Sequence, residues 1–122
     1  MNTTKLYRVE YPSNILVVGE GVYTSRHFTD VINLCIAHKK SIKHPSVRED
    51  IYDWECNDFF DSRYCACESL ELLKVWFRGW VSRLKADGFI LVEYEVKSYL
   101  PSISGRQAMF HPKDIISKTI LN

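Results

Sequence analysis

Two residues are placed where their chemistry needs an explanation. Arg8 interrupts an apolar, alternating run, Lys5-Leu-Tyr-Arg-Val-Glu-Tyr11. A guanidinium in such a run must be paired or solvated, because an isolated buried charge is very costly. Two readings stay open. One is an ion pair with Glu10, Glu93 or Glu95 at a sheet surface. The other is an anion-binding group at the floor of a cleft, where the planar fork suits phosphate. Gln107 is the second residue. It follows Gly105-Arg106 and opens the apolar run Ala108-Met-Phe110. Its amide both donates and accepts, so it either bonds a ligand hydroxyl or is an ordinary sheet-surface amide.

Other candidates are weaker. Cysteines stand at 35, 56, 65 and 67, with His44 upstream. A zinc module would draw on His44, Cys56, Cys65 and Cys67. The spacing lacks Cys-x2-Cys and His-x3-5-His pairs, so no metal is expected and the thiols read as small core hydrophobes. Gly19-Glu20-Gly21 is a turn or a weak phosphate cradle, without the full dinucleotide-binding glycine pattern. No hydrolase elbow, P-loop or His-Glu-x-x-His motif occurs. Trp76 and Trp80 have helical spacing and read as core. Trp54 lies in an irregular stretch and is the better candidate for touching a ligand or partner.

The elements that must hold these residues follow from periodicity. Residues 5–11 form a strand with Tyr7, Val9 and Tyr11 on one face and Leu6, Arg8 and Glu10 on the other. Pro12-Ser-Asn14 is a turn before the short apolar run 15–18. Thr24 and Ser25 cap a helix over 26–39, with Phe28, Val31, Ile32 and Cys35 as its buried stripe. Residues 40–61 are polar and irregular. A short strand over 62–66 precedes a helix over 69–77, capped by Ser69. Arg78-Gly79 breaks it, a further turn or two covers 80–86, and Asp87-Gly88 stops the helix. Residues 89–97 are the clearest strand. Its first half is apolar on both faces, which places it inside a sheet. Residues 106–110 form another strand, and 115–121 a last one or a short helix. The expected core is Val9, Phe28, Ile32, Leu73, Phe77, Ile90, Val92 and Tyr94. The late strands have no helices between them. That predicts an α+β fold, one domain over 1–122, with a largely antiparallel twisted sheet, whole or split, and two to three helices.

Composition sets the bounds. A chain of 122 residues suits one domain. With 46% apolar and 25% charged residues, disorder and collagen-like structure are excluded. The charges nearly cancel, 16 Lys+Arg against 15 Asp+Glu, net +1. No whole-surface grip on nucleic acid is indicated. No stretch approaches the roughly 20 apolar residues that span a bilayer, and the start MNTTKLYRVE lacks the apolar core of a signal peptide. A cytoplasmic protein is expected.

Three segments resemble the ADP-ribosyltransferase superfamily in its small, divergent bacterial and phage forms. Leu6-Tyr-Arg-Val9 is similar to the first-strand motif whose arginine holds the phosphate or ribose of NAD. Tyr64-Cys-Ala-Cys-Glu-Ser-Leu-Glu-Leu-Leu73 sits where the family has a strand ending in small hydroxyl residues, then a helix. Gly105-Arg-Gln-Ala-Met-Phe-His-Pro112 resembles the late strand bearing the catalytic glutamate. The resemblance implies an ADP-ribosyltransferase-like fold and a nucleotide site for NAD. In it Arg8 holds the pyrophosphate, Tyr23 or Trp54 stacks on a ring, Ser62 or Ser69 stands in for a missing hydroxyl and Gln107 bonds the ribose. Gln107 occupies the glutamate position, so it keeps the hydrogen bond without the charge. That argues against full activity unless Glu20, Glu68 or another acid compensates, and Gln107→Glu would restore the carboxylate. Tyr-Arg-Val-Glu, Ser-Leu-Glu-x-Leu-Lys-x-Trp-Phe and Tyr-Glu-Val are also similar to small phage proteins. This implies the alternative of a phage-encoded, non-enzymatic modulator in the host cytoplasm. It would bind a host protein through residues 44–61, where Tyr52, Trp54, Phe59 and Phe60 lie beside Asp and Glu.

Overall fold

The period-two runs at the two ends of the chain, 4–10 and 115–121, both pair with the run 90–96, and the remaining segments supply helices and a second sheet. A computed structural model describes residues 2–13, 18–24, 30–41, 44, 50 and 63–121. Trp54, Phe28 and nearly all of 44–61 fall outside the described residues. In chain order the elements are β1 (Thr4–Glu10), α1 (Val31–Lys40), β2 (Tyr64–Ala66), α2 (Leu70–Trp76) and α3 (Val81–Ala86). There follow β3 (Ile90–Val96), β4 (Leu100–Pro101), β5 (Ala108–Phe110) and β6 (Ile115–Leu121). Single 3-10 turns cover Val22–Thr24 and Pro112–Asp114. This is the expected α+β content, with antiparallel strands and three helices among the described residues.

The strands form two three-stranded sheets, ordered β1-β3-β6 and β2-β5-β4. The edges of β1 and β2 meet where Tyr7 and Cys67 exchange both backbone hydrogen bonds at 2.8 Å. The sheet is therefore of the split kind. As its apolar first half required, β3 is the central strand of its sheet. One face carries Val9, Phe89 and Leu91 against Leu34, Leu73, Phe77 and Leu84 from the helices. The other carries Leu6, Val92, Tyr94 and Val96 against Ala66, Ala108 and Phe110 of the second sheet.

Two core expectations are corrected. Ile32 is 73% exposed, and the buried residues of α1 are Leu34 and His38. Apolar residues at 31, 32, 34, 35 and 36 surround this helix on several sides, so spacing alone did not single out a face. The hydrogen bond from Tyr23 to His38 and the packing of His38 on Phe77 and Trp76 turn it. Ile90 is half-buried and not fully core, because it lies at the end of β3 opposite Glu10. The helix break and stop stand as read: Gly79 and Gly88 have φ of 86° and 97°, a region that disfavours any side chain.

Candidate functional site

The split leaves β1 only partly covered on its outer edge. Cys67 bridges Tyr7, and Gly21 bridges Glu10. Strand geometry points the Val9 N–H and C=O to the same side as those of Tyr7 and Tyr11, whose N–H groups bond Cys67 and Glu20. A cavity of about 490 Å³ opens there, with Arg8, Gly21, Tyr23, Cys65, Trp76 and Gln107 in its walls.

Arg8 makes the ion pair of the first sequence reading and also stands in the cavity wall. Its Nε lies 3.1 Å from Glu10 Oε1. Nη1 donates to Cys65 O at 2.7 Å and Nη2 to Gly19 O at 2.9 Å, and the guanidinium lies 5.2 Å from the Tyr64 ring centroid. An arginine has five N–H groups, so each terminal nitrogen keeps one beyond these bonds. Glu10 is fully buried and also takes Tyr94 OH at 2.8 Å, Gly19 N–H at 2.9 Å and Lys118 Nζ at 2.9 Å. The sequence reading missed Lys118, a lysine whose side chain is only 4% exposed. Burial, then the neighbouring Glu10, pushes the Tyr94 hydroxyl well above its ordinary range, so it stays a donor.

The glycines of the 19–21 loop belong to this cluster. A Cβ on Gly19 would lie 2.1 Å from Tyr11 O and 2.8 Å from Glu10 Oε2. One on Gly21 would lie 3.0 Å from Arg8 Nη2. The loop is glycine-rich because backbone must pass against the Arg8–Glu10 pair, which favours the plain turn over a phosphate cradle.

Gln107 is buried, and its Nε2 donates to Asp50 Oδ2 at 2.9 Å. Nothing in the sequence marked Asp50, which lies 57 residues away. Tyr23 holds its place in the wall through two bonds. Its hydroxyl accepts from Trp76 Nε1 at 2.6 Å and so donates to His38 Nδ1 at 2.5 Å. The His44 ring stacks on His38 with centroids 3.7 Å apart, and His44 Nε2 donates to Trp76 O at 2.5 Å. Burial is the main reason that the Tyr23 hydroxyl is raised.

Ser69 takes the capping place that its sequence position predicts. Its Oγ accepts from Leu72 N–H at 3.0 Å and so caps α2, and it is not among the described cavity walls. Ser69→Ala should cost about 1 kcal/mol in urea unfolding and leave affinity for any cavity ligand unchanged. A loss of affinity would return Ser69 to the site. Trp54 lies outside the described residues. Cys65 opens onto the cavity, whereas burial, then the nearby Cys65 and Glu68, pushes the Cys67 thiol up to about 12. Among the described residues no three His, Cys, Asp or Glu side chains are grouped to hold a metal. No helix among them is long and apolar enough to cross a membrane.

The fold and cavity define a small α+β protein with a split antiparallel sheet and a polar-floored, aromatic-walled pocket at the split. The family model described as Bacteriophage T4 Y00F protein matches residues 1–121, and the chain belongs to that family. Comparison with curated proteins and with solved structures gave no match.

Proposed function

We propose that the cavity binds NAD or a related nucleotide and that the protein is ADP-ribosyltransferase-like, directed at a host macromolecule. One observation carries the reading: segments distant in sequence that share the family likeness, around Arg8, Tyr64–Cys67 and Gln107, line a single cavity. Its volume of about 490 Å³ suits a small-molecule site. The remaining N–H groups of Arg8 favour a phosphate. Tyr23 and Trp76 give aromatic surface for a ring.

The test is a melting experiment with NAD and with ADP-ribose. A ligand that binds only the folded state stabilises by about 2.7 kcal/mol at one hundred times Kd, a rise of several degrees in a domain of this size. Arg8 is unsuitable as the first variant, because removing it strands Glu10. Cys65→Phe fills the cavity from a position that opens onto it and should abolish the shift while the unliganded protein stays folded. If neither nucleotide moves the melting curve at millimolar concentration, the nucleotide reading is dropped. Binding of a host protein through 44–61 then takes its place, with Trp54→Ala as its first variant.

A further inference from the structure

Asp50 stands directly behind Gln107, and each is only 4% exposed. The Asp50 carboxylate accepts from Ser104 N–H at 2.7 Å, Ser104 Oγ at 2.7 Å and Gln107 Nε2 at 2.9 Å. Its backbone carbonyl accepts from Ile103 N–H at 2.7 Å. A carboxylate can only accept, so chemistry assigns the orientation of the Gln107 amide: nitrogen toward Asp50, carbonyl oxygen away from it. Gln107 lines the cavity, and Asp50 is not among the described walls.

We propose that Asp50 is a positioning residue that fixes the polarity of the Gln107 amide and so makes this wall of the cavity accept a hydrogen from its ligand. The ligand group it takes is a hydroxyl or another positively polarised donor. The carboxylate behind the amide polarises it through a charge-assisted hydrogen bond and adds negative potential at the carbonyl oxygen. Arg8 offers only donors, so the cavity has one wall that donates and one that accepts. A phosphate-bearing sugar presents both kinds of group. The inference rests on the nucleotide reading for its ligand, but the orientation of the amide does not.

The pair also changes what Gln107→Glu does. A carboxylate at position 107 would face that of Asp50 at hydrogen-bond distance, and the two like charges would repel. The informative variant is the exchange D50N/Q107E. The new amide at position 50 then donates to the new carboxylate at position 107, the Ser104 hydroxyl turns to accept from that same amide, and the acceptor stays at the cavity wall. D50N alone lets the Gln107 amide reverse. It should weaken ADP-ribose binding by about tenfold or more, the value of a hydrogen bond to a polarised group. The exchange should return affinity to within about threefold of the unmutated chain. Equal affinity for D50N and the unmutated protein, or an exchange no better than D50N, overturns the proposal. If ADP-ribose does not bind the unmutated chain, the nucleotide reading fails separately. The orientation is then read from the Gln107 side-chain NH2 resonances. One downfield, slowly exchanging proton is expected in the unmutated protein and not in D50N. Its absence in the former or persistence in the latter overturns the proposal.

Discussion

Glu10→Gln should destabilise the fold by about 3–5 kcal/mol, a substantial part of the about 5–15 kcal/mol that holds a domain folded. The substitution is nearly isosteric, so packing is not the cause. Glu10 lies at zero exposure between Arg8 and Lys118, whose side chains are 8% and 4% exposed. Removing its charge leaves two buried cations without their counterion. Every contact to its two oxygens comes from a donor: Arg8 Nε, Lys118 Nζ, Tyr94 OH and Gly19 N–H. A glutamine amide must point its NH2 at some of them, which adds an unsatisfied group to the lost charge. Urea unfolding of the single variant and of the triple variant R8M/E10Q/K118M separates the causes. Buried ion pairs exchanged for apolar groups are often neutral. The triple variant should therefore lose less stability than Glu10→Gln alone. A single variant within about 1 kcal/mol of the unmutated chain would show that water reaches the cluster and screens it.

How much of this could be read in the sequence depended on distance along the chain. Leu6, Arg8 and Glu10 share a face because a strand has period two. The Arg8–Glu10 ion pair was thus available as one of two readings. Lys118 was not, because its approach to Glu10 depends on β3 lying between β1 and β6, and that register is a tertiary fact. Gln107 was marked by being polar at the start of an apolar run. Its partner Asp50 was not, since a side chain that bonds a loop 54 residues away leaves no periodic trace. The α1 face failed for a related reason. Its apolar residues nearly encircle the helix, and a polar residue, His38, is among those buried. The cap at Ser69 and the glycine stops at 79 and 88 were legible because their causes are local.

The buried His38 gives the second large effect, a loss of stability on acidification between pH 6.5 and 4. Burial first, and the facing His44 second, hold the His38 imidazole down at about 4, against an ordinary 6.5. Its neighbours fit that direction. Tyr23, itself bonded by Trp76 Nε1, directs its hydroxyl proton at His38 Nδ1, so a proton on that nitrogen would meet a donor. His44 stacks on one face, and Phe77 and Trp76 pack around the ring. The unfolded chain takes up a proton as pH falls through 6.5, and the folded chain does so only near 4. Between those values the unfolded state binds more protons, so stability rises with pH across the window and falls on acidification. The full difference is at most about 3 kcal/mol, less whatever water at the rim of the ring cluster screens. It is present above pH 6.5 and gone below 4. Carboxylates titrate at the lower end of this range, so the measurement is a comparison. Unfolding free energies measured at several pH values from about 7 down to about 4 should fall more steeply for the unmutated protein than for His38→Gln, which has no proton to gain. Because His38 holds Tyr23 in the cavity wall, the ligand affinity of the folded protein should hold down the interval and decline only as pH approaches about 4, where the folded ring takes up its proton. Parallel profiles for the two proteins would mean that the His38 ring is solvated in the folded state and that its bond to Tyr23 does not hold the wall.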